Sequence, residues 1–311
     1  MQVTHGSIPP GSSRLALTIG NFDGVHRGHQ AMLERTVARA QALLLPSCVL
    51  TFEPHPREFF APATAPARLT RLRDKLELMA AAGISRVHVA RFDARFAALA
   101  AERFVEDLVV RGLRTAWLLV GRDFRYGAKR AGDYALLERL AARHGVELEA
   151  MPEVALQGER VSSSAVRAAL VAGELAAAER LLGRPFAMSG RVAHCEKLGR
   201  ELGFPTANLV LRRRAPLAGI FVVECCIEGE SRWRPGVANV GRRPTVNPTA
   251  VPLVEVHLLD WVGDLYRRHL QVRFLQKLRD EEKYDGVPAL RAAIARDAVQ
   301  ARSYFAHQTH A

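Results

Sequence analysis

Apolar residues in the first 180 positions follow two alternating rhythms. Short continuous runs at 15–19, 48–52, 87–89 and 117–120 read as strands buried on both faces. Between them, stretches with helical spacing predict helices over about 28–44, 71–82, 100–110 and 134–144. Gly83, Gly112 and Gly145 follow three of these as stop signals. A strand over 146–151 comes next, then helical patterns over 164–171 and 175–182. Strands alternating with helices predict a parallel, doubly wound sheet.

Gly183, Arg184 and Pro185 break the pattern, and the texture changes after them. Strand-like runs at 189–193, 221–227, 236–240, 253–259 and 270–278 are separated by Gly, Pro and Asn. Such spacing predicts a small antiparallel barrel, closed by an amphipathic helix over 288–304. The expected domains are residues 1–183 and 184–311. An Ala/Pro-rich loop at 61–67 is the one biased tract, and no internal repeat is evident.

Composition narrows the class. Hydrophobic residues make up 49% of the 311, enough for a core, and no run approaches the roughly 18 apolar residues of a membrane span. Residues 1–14 lack a secretory pattern, so a cytoplasmic protein without a membrane partner is expected. The four cysteines, Cys48, Cys195, Cys225 and Cys226, form no C-x-x-C pair, which argues against a disulfide framework or zinc site. The net charge of +12 invites nucleic acid as a partner. Its arginines are scattered, however, and the Arg212–Arg213–Arg214 cluster has no interleaved aromatics, so surface solvation and anionic phosphate substrates are the expected explanation. Monomer and weak homo-oligomer both remain open.

The sharpest N-terminal segment runs from Gly20 through Asn21, Asp23, Gly24, His26 and Gly28 to His29, between the first strand and first helix. Ligands of open parallel sheets bind at the carboxyl ends of strands, where a helix N-terminus offers N–H groups to phosphate. Two histidines three residues apart can face one α-phosphate and stabilise the charge that grows during in-line displacement. A glycine turn with two surface histidines is the bland alternative. Asp123, Phe124 and Arg125 follow the fourth strand, where basic and aromatic residues suit a flavin phosphate and ring, although a solvated basic loop would look similar. Arg160, Ser163 and Ser164 precede a helix, where serines either cap it or bind phosphate. Phe52 and His55, beside Pro54 and Pro56 after the second strand, either shape a flavin pocket or make a rigid turn.

In the second half, Gly199 and Arg200 precede Thr206 and Asn208. The last two share a face in an extended chain, and their neutral oxygens suit a Mg²⁺ that bridges ATP phosphates. Glu255 lies on an alternating run and is the candidate base for a primary alcohol. Glu281 and Glu282 are rival carboxylates, in a charged run that also reads as a solvated or substrate-covering loop.

Together these segments resemble the bacterial bifunctional riboflavin kinase/FMN adenylyltransferase family, also called FAD synthetase. The markers are GNFDGVHRGH (20–29), TFEPHP (51–56), PARLT (66–70), GRDFRYG (121–127), RVSSS (160–164), LLGRPF (181–186), GRELGFPTANL (199–209), GVANVGRRPT (236–245), VEVHLLD (254–260) and LRDE (278–281). The resemblance implies an α/β nucleotidyltransferase-like parallel-sheet domain, then a small antiparallel β-barrel (flavokinase) domain with a C-terminal helix. It implies ATP and Mg²⁺ at both sites, with riboflavin and FMN as substrates. It places Asn21, His26, His29, Asp123, Arg160, Ser163 and Ser164 at the adenylylation site, Thr206 and Asn208 at the kinase metal and ATP, Glu255 as base, and Arg279 on a flavin-covering loop. Departures are Ser164 for the usual Thr, Cys195 and Arg267 for common glycines, and Asp123 for a common Asn. Two other functions need to be separated from the bifunctional enzyme. One is a kinase whose first domain only binds nucleotide; the other is a basic RNA- or flavin-binding protein.

Overall fold

The structure is a computed structural model, and it describes residues 1–6, 13–193, 203–211, 214–242 and 252–308. By contacts the chain divides into two compact units, residues 1–66 with 70–162, and 67–69 with 163–311.

The first unit is built on a six-stranded, all-parallel sheet. Its strands are β1 (Gln2–His5), β2 (Leu15–Ile19), β3 (Ser47–Glu53), β4 (Arg86–Arg91), β5 (Thr115–Gly121) and β6 (Glu147–Met151), in spatial order β1-β4-β3-β2-β5-β6. Five consecutive buried residues make β2 a central strand. The chain lays β3 and β4 on one side of β2 and then returns to place β5 on the other. The carboxyl ends of β2 and β5 therefore flank a topological switch point. On one face, α1 (Arg27–Ala42) and α3 (Leu72–Ala81) cover Val49, Val87 and Val89 with Leu33 and Met79. On the other, α6 (Tyr134–Arg143) and the segment 101–112 cover Leu17, Leu50, Leu118 and Val120. Short helices α2 (Pro56–Phe60) and α4 (Ala94–Ala97) and a two-stranded ribbon, β7 (Ala155–Leu156) with β8 (Glu159–Arg160), complete this unit.

Two elements differ from the sequence pattern. β1 was not expected, because its four residues are short, polar and only half buried at the sheet edge. Backbone pairing with β4 holds it, and His88 of β4 reinforces the strand through Thr4 Oγ1 at 2.8 Å and the Gly6 carbonyl at 3.1 Å. The helix expected over 100–110 begins as α5 (Ala101–Arg103) and widens into a π-helical stretch (Phe104–Gly112), ended by the Leu113 amide donating to Leu108 O.

The second unit starts with α7 (Ser163–Ala172) and α8 (Leu175–Leu182). Gly183 ends α8 in the left-handed conformation, φ 72°. The sequence break thus marks a helix end; contacts change earlier, because α8 packs on the barrel strands β9 (Phe186–Ala193) and β14 (His269–Arg279). With β10 (Ala207–Val210), β11 (Gly219–Ile227), β12 (Trp233–Arg242) and β13 (Pro252–Leu258), these close an antiparallel barrel in the order β10-β13-β12-β11-β14-β9. Phe221, Phe274, Val254, Val256 and Leu209 fill its interior. The C-terminal helix α9 (Val287–Gln308) packs Ala298, Ala301, Tyr304 and Phe305 on Ile220, Val222, Val237 and Leu259 of the outer face.

Phe221 is fully buried and meets Phe274 edge-on at 5.4 Å between ring centroids. Phe221→Ala should lower unfolding stability by about 3–5 kcal/mol in urea titrations followed by circular dichroism.

Candidate active sites

After β2 the chain enters a tight turn that carries three residues at positive φ, Phe22 (49°), Gly24 (87°) and Val25 (42°). Such strain on Phe and Val persists only where surroundings over-determine it. Here the segment before α3 does so. Asp23 is buried and accepts from the Thr70 amide at 3.1 Å and from the Thr70 hydroxyl at 3.4 Å, while the Gly24 amide donates to that hydroxyl at 3.1 Å. From α3, Lys75 donates to the Asn21 carbonyl at 2.7 Å, and the Thr51 hydroxyl reaches the same oxygen at 3.3 Å. The Gly20 amide donates to Leu50 O, and a Cβ at Gly20 would press on the Phe22 ring at 3.1 Å. The turn thereby leaves Asn21 Oδ1 buried without a hydrogen-bond partner.

His26 is the N-cap of α1, its Nδ1 accepting from the His29 amide at 3.3 Å. His29 stacks on it, with ring centroids 3.7 Å apart and planes 17° apart, and Phe22 closes the other side at 4.9 Å. His29 Nδ1 is buried with no partner. Burial holds the His29 imidazole well below its ordinary value, and the neighbouring His26 and Lys75 push it further down. The turn thus presents two stacked rings at a helix N-terminus, with His29 kept neutral by burial, a disposition suited to donating hydrogen bonds to an anion.

The other expected residues of this unit lie at and after the carboxyl ends of β5 and β3, and on β8. After β5, Asp123 pairs with Arg160 at 2.5 Å, and Arg160 also reaches Glu153 at 3.2 Å. Phe124 stacks on Tyr126 at 5.4 Å, and Arg125 pairs with Asp133, the N-cap of α6, at 3.3 Å. After β3, His55 caps α2 through Nδ1, accepting from the Arg57 amide. Phe52 joins an aromatic cluster with Phe92 and Phe96, at 6.0 and 5.6 Å, which continues through Phe59 and Phe60. In the second unit, Ser163 and Ser164 open α7, and the Arg167 guanidinium is held by the carbonyls of Ala67 and Ser163.

The barrel gathers a separate constellation. Asn208 lies opposite Glu255, Glu255 opposite Asn239, Asn239 opposite Ile220, and Ile220 opposite Arg279. Directly opposed residues share a face, so Asn208, Glu255 and Arg279 belong to one row running over β10, β13, β12, β11 and β14, with steps of about 4.8 Å. Asn239 Nδ2 donates to Glu255 Oε2 at 3.4 Å. The Oδ1 atoms of Asn208 and Asn239, on either side of Glu255, are buried without partners. Thr206 is two residues before Asn208, and His257 fixes this segment by bonding Pro205 O through Nδ1 at 3.0 Å. Glu281 extends over Gly241, where a Cβ would collide with its carboxylate; cover of its carboxyl end raises its proton affinity, and Glu255 adds to this. Arg279, expected on a covering loop, is instead the last residue of β14, held there by pairing with Ile220 and by a bidentate pair with buried Asp297 of α9, at 2.9 and 2.6 Å. Gly199 and Arg200 lie outside the described residues.

Sequence reading missed Thr70, Lys75 and Asn239. Lys75 had a signal, since it stands with Leu72, Leu76 and Met79 on the stripe that α3 buries, where a lysine is out of place. Asn239 lies within the 236–245 marker, but nothing local ties it to Glu255, because that place comes from strand register.

The depressed His29 value has a consequence for stability. An unfolded chain binds a proton here near the ordinary 6.5, whereas the folded one resists it. Stability from this group is therefore complete above that value and declines as pH falls below it. Urea midpoints should fall between neutral and mildly acidic pH, and His29→Gln should flatten that fall.

Residues 9–165 match the FAD synthetase family, and residues 182–305 match the riboflavin kinase family. Among curated proteins named bifunctional riboflavin kinase/FMN adenylyltransferase, that of Escherichia coli strain K12 is 50% identical over 93% of this chain and 92% of its own length. That of Pseudomonas fluorescens is 49% identical over the full length of both, and that of Haemophilus influenzae is 43% identical over 93% and 94%. A crystal structure described as a macrolide-efflux protein from Streptococcus pneumoniae superposes with a TM-score of 0.81 at 25% identity, covering 97% of this chain and 99% of that one. Among the described residues, no helix is long and apolar enough to cross a membrane. With both family matches in order along its length and relatives this similar, the chain belongs to the bifunctional riboflavin kinase/FMN adenylyltransferase family.

Proposed function

We propose that the barrel unit converts riboflavin and ATP to FMN and ADP, and that the parallel-sheet unit converts FMN and a second ATP to FAD and diphosphate. The observation that carries this reading is the presence of two separate constellations with different chemistry. One is a stacked histidine pair at a helix N-terminus on the switch point of a parallel sheet. The other is a carboxylate between two partnerless amide oxygens on a barrel.

In adenylyl transfer, His26 and His29 donate to the α-phosphate as the FMN phosphate attacks it, and diphosphate leaves. Gly20, Asn21, Asp23 and Gly24 form the turn against the nucleotide, Asp123, Arg160, Ser163 and Ser164 serve its phosphates, and Phe52, His55, Phe124 and Arg125 serve the flavin. In the kinase reaction, Glu255 accepts the proton of the riboflavin hydroxyl as it attacks the γ-phosphate. Thr206 and Asn208 would hold Mg²⁺, and the buried Asn208 Oδ1 is the neutral, hard oxygen such an ion takes. When bound, Mg²⁺ neutralises phosphate charge. Gly199 and Arg200 would attend the ATP phosphates. Arg279, tied to Asp297, would set the flavin-covering loop through that pairing. The functional boundary is placed at 183/184, and the enzyme works on small molecules in the cytoplasm.

Purified protein given riboflavin, ATP and Mg²⁺ should yield both FMN and FAD on flavin chromatography. FMN alone would favour a kinase with a non-catalytic first unit. Asn208→Asp and Glu255→Ala should each abolish FMN formation while FAD still forms from added FMN, and His29→Ala should do the converse. Loss of both reactions in a folded variant overturns this division of roles.

A further inference from the structure

We propose that Lys75 is a positioning residue for adenylyl transfer: from the buried face of α3 its ammonium fixes the turn through the Asn21 carbonyl and acts on the stacked His29. The proposal rests on the adenylylation site assigned above.

Lys75 is 4% exposed, an unusual place for a lysine, and its Nζ meets the Asn21 carbonyl at 2.7 Å. That carbonyl belongs to the residue just before Phe22, the first of the strained positions, so its direction sets how the turn departs from β2. The contact also orients the residue whose Oδ1 is buried without a partner. The charged groups facing His29 are His26, which caps α1, and Lys75, from α3. Asp23, in the same turn, has its carboxylate on Thr70. Protonating His29 would set a charge against the stacked His26 ring at 3.7 Å and in the field of Lys75. The stack is therefore kept with His29 neutral. The imidazoles donate hydrogen bonds at places that the clamped turn fixes.

Lys75→Gln keeps an amide donor for Asn21 and removes the charge; Lys75→Met removes both; Lys75→Arg keeps the charge. Histidine Cε1–H resonances, with His29 assigned by its loss in His29→Asn, report its titration without any turnover. In Lys75→Gln the His29 midpoint should rise by about one pH unit, and in Lys75→Arg it should stay with the wild type. The kcat for FAD formation from FMN should fall roughly ten- to hundredfold in Lys75→Gln and further in Lys75→Met, with a smaller change in KM. The acid limb of the kcat profile should move with the His29 midpoint, and FMN formation from riboflavin should be unchanged. Should Lys75→Met fail to fold by circular dichroism, Lys75→Gln decides on the same criteria. A folded Lys75→Gln protein with wild-type His29 titration, or with FAD formation within twofold of wild type, overturns the proposal. Wild-type protein that makes no FAD overturns the assigned site instead.

Discussion

The clamp on the turn after β2 is the constraint that the first site depends on. Left to itself, a chain with Phe22 and Val25 at positive φ would relax into a more open loop. Asp23, Thr70 and the Gly24 amide close one side of it, and Lys75 and Thr51 hold the Asn21 carbonyl on the other. Once the turn is fixed, α1 can start at His26, whose ring then accepts from the His29 amide, and the two imidazoles stack. Burial of His29 follows from the stack and from Phe22, and with burial comes its neutrality. The clamp uses groups distant in sequence, Thr51, Thr70 and Lys75, so the geometry of the site depends on the sheet and α3.

The barrel reaches its constellation by another route. Strand register alone aligns Asn208, Glu255, Asn239 and Arg279 on one outer row, while the interior is filled by aromatic and branched side chains. A one-residue slip of β13 would turn Glu255 inward and Val254 or Val256 outward, at the cost of the core. The apolar interior therefore enforces the polar row. Arg279 is held at its end by Asp297, so the closing helix α9 contributes to the same row through an ion pair.

Much of this was legible in the sequence, for physical reasons. β2, β3 and β5 are buried on both faces and show as unbroken apolar runs, and the glycine- and histidine-rich turn sits directly after the first of them. Glu255 and His257 showed by alternation that they share a face. What stayed hidden depends on tertiary contact. β1 is an edge strand of polar residues held by backbone pairing, which leaves no hydrophobic signature. Thr70 and Asn239 act through partners 46 and 16 positions away, and no local pattern encodes those pairings. The grouping of α7 and α8 with the second unit is equally invisible, since the strongest break in composition falls after them.

Two sites acting in succession make a demand that one mixing experiment meets head-on. His29→Ala and Asn208→Asp proteins would be combined in equal amounts with riboflavin, ATP and Mg²⁺, and FAD followed over time. The account requires that neither variant alone makes FAD from riboflavin and that the mixture does, after a lag during which FMN accumulates. A mixture that accumulates FMN but never forms FAD, although Asn208→Asp converts added FMN, would contradict it.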